Sequence, residues 1–237
     1  MNKKICLWSC PRNVSTALMY SFRERPDMEV YDEPLYAHYL NSTNLNHPGK
    51  KEILSSLEID WKKVVYNVIL KNRKKNSFFK LMTHFLVDVD KSFLKDVQNI
   101  IFIRDPKEII YSYSKVIKNP NISDIGVKMQ YDLYLYLKSV NINAIILDSK
   151  KLLINPKKTL IKLCDLLNIP FYDTMLKWER GSKEEDGVWA KYWYENVHNT
   201  TCFLPYKKRL DIQFNSSQKN LYNECKYYYN LLTKLSI

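Results

Sequence analysis

The sequence predicts an α/β fold, with a mostly parallel central sheet flanked by helices on both faces. Three observations predict it. Short apolar runs of buried-strand length recur through the 237 residues, segments with helical apolar spacing alternate with them, and several runs end on their carboxyl side in a polar residue able to do chemistry. Such alternation builds a sheet covered on both faces, whose ligand crevice lies beyond the carboxyl ends of its strands.

Ile5 to Trp8 is the first apolar run. Ser9-Cys10-Pro11-Arg12-Asn13 breaks it, and Val14 to Arg25 carries helical spacing at Val14, Ala17, Leu18 and Phe22, giving strand, loop and helix. Glu29 to Tyr31 reads as a second strand that stops at Asp32-Glu33-Pro34, since proline removes a ladder donor. The polar, lysine-rich stretch 41–76, with one helical candidate at 59–70, reads as an inserted lid or flap. Phe78 to Met82 and Ile100 to Ile103 are strands followed by His84 and Arg104. Helices follow at 107–117, 125–140, 157–167 and 218–235, with a strand Ala144 to Leu147 between the second and third. No repeat or linker divides the chain, so one domain over 1–237 is expected.

Apolar residues at 46% and aromatics at 14% supply a core and exclude a disordered polymer. The formal charge of +12 favours anionic partners, although the abundance of Lys, Asn, Ile and Tyr against only 4 glycines is equally explained by biased codon usage. The five cysteines show no Cys-x-x-Cys pair and no metal spacing with the histidines, which predicts a reduced, cytoplasmic protein without a metal centre. No segment approaches the ~18 apolar residues of a membrane span.

The loop from Ser9 to Thr16 lies between a strand and a helix, where free backbone donors and the helix dipole meet an incoming anion. Ser15 and Thr16 add hydroxyls, and Arg12 adds a forked cation. The alternative is that Ser15 or Thr16 only caps the helix. The loop lacks the Gly-x-x-x-x-Gly-Lys-Ser/Thr pattern, which argues against an ordinary ATP-dependent kinase. Further along, Arg104 ends a strand, Pro106 follows, and Ser112 stands eight residues beyond Arg104, about two helical turns on. Arg104 and Ser112 can reach one phosphate together; alternatively Arg104 pairs with Asp105 or Glu108.

Pro11-Arg12-Asn13-Val14-Ser15-Thr16 resembles the Pro-Arg-Ser-Gly-Thr-Thr phosphosulfate loop of P-loop-like sulfotransferases that use 3′-phosphoadenylyl sulfate (PAPS), with Val14 where that family has glycine. Arg104, Pro106 and Ser112 resemble the family's 3′-phosphate element, in the correct order along the chain. Leu152 to Pro170 is similar to the family's strand-to-helix segment. Arg180-Gly181, with the following Asp186 to Trp193, resembles the late loop that closes over the nucleotide. The chain also resembles the branch found fused in branched-chain-aminotransferase-like proteins. The likeness covers most of the chain and is weakest in 41–76 and after 205.

This resemblance implies a sulfotransferase fold and transfer of a sulfuryl group from PAPS to a hydroxyl or amine of a small acceptor, leaving 3′,5′-adenosine bisphosphate (PAP), with no metal required. It implies nucleotide contacts at Arg12, Asn13, Val14, Ser15, Thr16, Arg104, Ser112, Arg180 and Gly181. Arg12 is the expected catalytic cation. Glu33 stands where carbohydrate-type sulfotransferases carry a catalytic glutamate, and Thr83-His84 matches part of the Lys-Thr-His segment of small-molecule enzymes, with Lys80 displaced upstream. Glu33 ranks above His84 as the base, and His38 and His198 are weaker candidates. Two rivals remain: a phosphoryl-transfer enzyme holding magnesium on Asp88 or Asp90, and a nucleic-acid-binding protein using Lys71, Arg73, Lys74 and Lys75.

Overall fold

The computed structural model describes residues 2–208 and 212–237. Five strands, β1 (Lys4–Ser9), β2 (Met28–Asp32), β3 (Asn76–Met82), β4 (Gln98–Ile103) and β5 (Ala144–Asp148), form one sheet in the order β2-β3-β1-β4-β5. Every pairing is parallel. The expected α/β architecture is therefore the observed one.

Alternation along the buried strands divides the core between the two faces. Ile5, Leu7, Phe78, Ile100 and Phe102 face the helix α1 (Ser15–Arg23) and the helix Pro156–Leu166, while Cys6, Trp8, Phe79, Leu81, Ile101 and Ile103 face the helix Val127–Ser139 and the helical pieces of 36–69. Phe22 of α1 stacks on Phe78 with centroids 4.2 Å apart, which fixes α1 over β3 and β1. Because β1 lies between β3 and β4, the chain leaves it in one direction along the sheet and returns in the other. Such a strand-order switch opens a crevice at the carboxyl ends of β1 and β4.

Three expectations are corrected. The stretch 41–76 is packed rather than free: the helical candidate at 59–70 is present as Trp61–Val64 and Val65–Ile69, Lys50–Ser56 is a further helix, and Ile53, Val64, Val65 and Ile69 are buried in the main core. The polar residues of Lys50–Ser56 mask the buried Ile53. Leu152 to Ile154 holds no strand. It ends a short helix, Ser149–Ile154, started by Asp148, whose carboxylate accepts from Lys150 N at 2.8 Å. The helix expected from 125 starts as Val127–Ser139, because Gly126 at φ 76° ends the short turn Ile122–Ile125 and begins a new helix.

Candidate active site

The crevice is a cavity of about 570 Å³ lined by the loop after β1, the ends of β2, β3 and β4, and the segment 193–207. Its two halves differ in chemistry.

One half is built for anions. The N-cap of α1 is Val14, at φ 36°, and no side chain caps the helix. Capping by Ser15 or Thr16 is thereby answered: both follow the N-cap and line the cavity, leaving the first-turn amides and the positive end of the dipole facing it. Asn13 fastens the loop beneath, its amide donating to the carbonyl of Phe102 on β4. Arg12 Nε donates to Ser112 Oγ at 2.9 Å. Arg104 grips Glu108 with Nε and Nη2, at 2.9 and 2.7 Å, and its Nη1 donates to the Arg12 carbonyl. Arg104 thus does pair with Glu108, and at the same time ties the two predicted phosphate elements together. Burial holds the Arg12 pKa below its usual value, and the neighbouring Arg104 charge adds to that. Two guanidiniums side by side at an uncapped helix terminus are the donor set of a polyanion site.

The other half is aromatic, with Tyr36, Phe85, Trp189, Trp193 and Tyr194 around Glu33, Lys80, His47 and His84. Glu33 has φ 45°, its N–H donates to the Lys80 carbonyl at 2.8 Å, and its own carbonyl accepts from Tyr36 N at 2.9 Å. That turn swings the side chain off the end of β2 into the cavity. Burial lifts the Glu33 pKa to about 7; Lys80 opposes the shift and Asp32 adds to it. Burial also depresses His84 to about 3, and its Nδ1 is buried without a hydrogen-bond partner among the described residues. His84 is a neutral imidazole at working pH.

Of the expected site residues, Arg12 to Thr16, Glu33, His84, Arg104 and Ser112 all line this one cavity. Arg180 and Gly181 do not: Arg180 is exposed and donates to Asn199 Oδ1 at 2.6 Å, while Gly181 N bonds the His198 carbonyl. The wall beside Arg104 and Glu108 is formed instead by Phe203 to Lys207. His38 bonds the Val87 carbonyl at 2.8 Å and His198 bonds Asp186 at 2.9 Å, both away from the cavity. Asp88 and Asp90 are also outside it, Asp90 capping a short turn through Ser92. Lys71, Arg73 and Lys75 lie at the amino ends of the strands with Lys3 and Lys4. Lys80 also enters the cavity, and its place inside the apolar run Phe78 to Met82 announces a buried charge that must have partners.

The sulfotransferase domain family matches residues 3–231. The chain belongs to that family. An Arabidopsis thaliana protein, branched-chain-amino-acid aminotransferase-like protein 2, is 38% identical over 95% of this chain, which spans 40% of that relative's length. Among solved structures, this sulfotransferase domain is similar to the sulfotransferase domain from the curacin biosynthetic pathway, with TM-score 0.55 and 16% identity over 95% of this chain and 98% of that one. A mouse sulfotransferase complexed with PAP matches with TM-score 0.50 and 13% identity, over 99% of this chain and 90% of that one. No described helix is long and apolar enough to cross a membrane.

Proposed function

We propose that this sulfotransferase domain moves a sulfuryl group from PAPS to a hydroxyl or amine of a small acceptor bound in the aromatic half of the cavity. The observation that carries the reading is the meeting of Arg12, Ser112 and Arg104 at the uncapped start of α1, facing Glu33 and His84 in the same cavity. The residues fit the donor: the α1 amides, Ser15 and Thr16 suit its 5′ end, while Arg104 and Ser112 suit its 3′-phosphate. Bound there, the donor supplies a sulfuryl group whose bond to the 5′-phosphate breaks as the acceptor atom bonds to sulfur. Arg12 and the helix amides stabilise charge growing on the departing phosphate. Glu33, ionised above about pH 7, takes the acceptor proton, and neutral His84 orients the acceptor by hydrogen bonding. The aromatic walls favour an acceptor with an apolar body.

The test is thermal shift with PAP against magnesium ATP, followed by a screen of hydroxylated and amine metabolites for transfer of radiolabelled sulfate. Stabilisation by PAP and labelling of an acceptor are expected. Stabilisation by ATP alone would return the reading to phosphoryl transfer.

A further inference from the structure

Behind Glu33 lies a group of buried polar side chains that nothing about nucleotide binding requires. Lys80 Nζ, fully buried, donates to Asp32, to Glu33 and to the Tyr194 hydroxyl. Tyr194 Oη lies 2.9 and 2.8 Å from the two Asp32 oxygens and accepts from Trp189 Nε1 at 3.1 Å. Gly187 N gives Asp32 a further bond at 3.2 Å. That backbone approach needs glycine, since a Cβ at 187 would lie 2.2 Å from the Trp189 ring.

The charges do not balance. Two carboxylates share one ammonium, so in a low-dielectric site the group is one proton short of neutrality. The hydrogen bonds decide which carboxylate takes that proton. Asp32 is saturated by Lys80, Tyr194 and Gly187 and does not line the cavity; Glu33 does. We propose that Lys80, Asp32 and Tyr194 are positioning residues that make Glu33 the proton acceptor of the site, with Asp32 as fixed counter-ion to Lys80. Proton transfer from an acceptor O–H or N–H to Glu33 then leaves a neutral set, Lys80 ammonium, Asp32 carboxylate and Glu33 acid, as the new bond to sulfur forms. Burial raises Glu33, Lys80 lowers it and Asp32 raises it, in the directions this geometry demands. Tyr36 and Tyr194 are further titratable groups whose charges couple to Glu33, and burial raises the pKa of both; His47, His84 and Arg12 line the same cavity.

The inference deepens the proposed role of Glu33 and is tested without turnover. The probe is the intact chain labelled on glutamate carboxyl carbons, titrated by NMR in the presence of PAP, with the Glu33 signal identified by its loss in Glu33→Gln. A near-neutral midpoint is expected in the wild type. Asp32→Asn, which removes a negative neighbour, should lower it by about one pH unit. Tyr194→Phe, which removes the O–H that Asp32 accepts, should let Asp32 compete for the proton and lower the Glu33 midpoint; Lys80→Met, which removes the opposing positive charge, should raise it. Asp32→Asn and Tyr194→Phe nearly preserve shape, so they decide the matter even where Lys80→Met fails to fold. Midpoints unmoved by Asp32→Asn and Tyr194→Phe, or a wild-type midpoint in the ordinary carboxylate range, would overturn the proposal. If the midpoints move as stated while Glu33→Gln keeps full sulfate transfer, the set of positioning residues stands and the assignment of Glu33 as base fails.

Discussion

Arg12 Nε and Ser112 Oγ meet at 2.9 Å although 100 residues of chain separate them. The contact joins the two loops proposed to hold the donor's phosphates, because Arg12 follows β1, Ser112 rides the helix after β4, and those strands are neighbours. Arg104 completes the joint through the Arg12 carbonyl.

The two arginines are therefore separable by kinetics. Arg12→Ala removes the cation proposed to meet charge on the leaving phosphate and should lower turnover by about 10²–10³-fold, as loss of one transition-state donor does. Arg104→Ala removes charge-assisted hydrogen bonds from the loop and the ligand site, and should weaken PAP binding by roughly 10–100-fold. Calorimetric titration with PAP beside initial-rate assays distinguishes them. Full turnover in Arg12→Ala would refute the loop assignment.

Val14 shares the backbone cost of the loop with Arg12, which stands at φ 59°. A left-handed conformation costs an L-residue about 1–2 kcal/mol, and at φ 36° Val14 occupies it where glycine would occupy it freely. Its half-buried side chain packs at the margin of the α1 core and returns part of that cost. Val14→Gly is expected to keep or raise the melting temperature and to leave PAP binding intact. A fall of several degrees in a calorimetric scan would mean that packing outweighs the backbone strain.

The raised Glu33 pKa sets a pH limb. A base works only when ionised, so turnover should climb as pH rises through about 7 and fall below it. The same shift acts oppositely on stability: a carboxyl whose folded pKa is raised stabilises the fold at acid pH, and that contribution is lost as pH rises from about 4.5 towards 7. Glu33→Gln should cut turnover by about 10²–10⁴-fold and abolish the acidic limb. Rate against pH at saturating PAPS checks it, and a limb that persists in Glu33→Gln would reassign it to another group.

These predictions divide along what the sequence makes legible. Parallel strands buried on both faces need continuous apolar runs, so β1, β3 and β4 stand out, and Arg12, His84 and Arg104 are found by looking just past them. Glu33 is found through Pro34, which ends β2. Asp32 stands at the same stop, but its pairing with Tyr194 leaves no such trace, because it depends on a return of the chain across 162 residues. Arg180 is the converse case: its local pattern resembles a nucleotide loop, while the Gly181 bond to the His198 carbonyl turns that loop away and Phe203 to Lys207 take the wall. In 41–76 the helical spacing at 59–70 does show through, and Val64 and Ile69 lie in it, whereas the polar composition of Lys50–Ser56 conceals the buried Ile53.

His84 gives a prediction of stability independent of any acceptor. Burial depresses its pKa from 6.5 to about 3, so the folded protein refuses a proton that the unfolded chain accepts. The sign follows from linkage: the contribution is complete above pH 6.5 and is lost as pH falls towards 3, with a magnitude on the order of a few kcal/mol. Glu33 works in the opposite sense over part of this range, but it is present in both wild type and His84→Gln and largely cancels in their comparison. Urea unfolding at neutral and acid pH should therefore show a larger acid loss in the wild type than in His84→Gln. Equal losses would mean that His84 takes up its proton within the fold, and a neutral imidazole could no longer be the group that orients the acceptor.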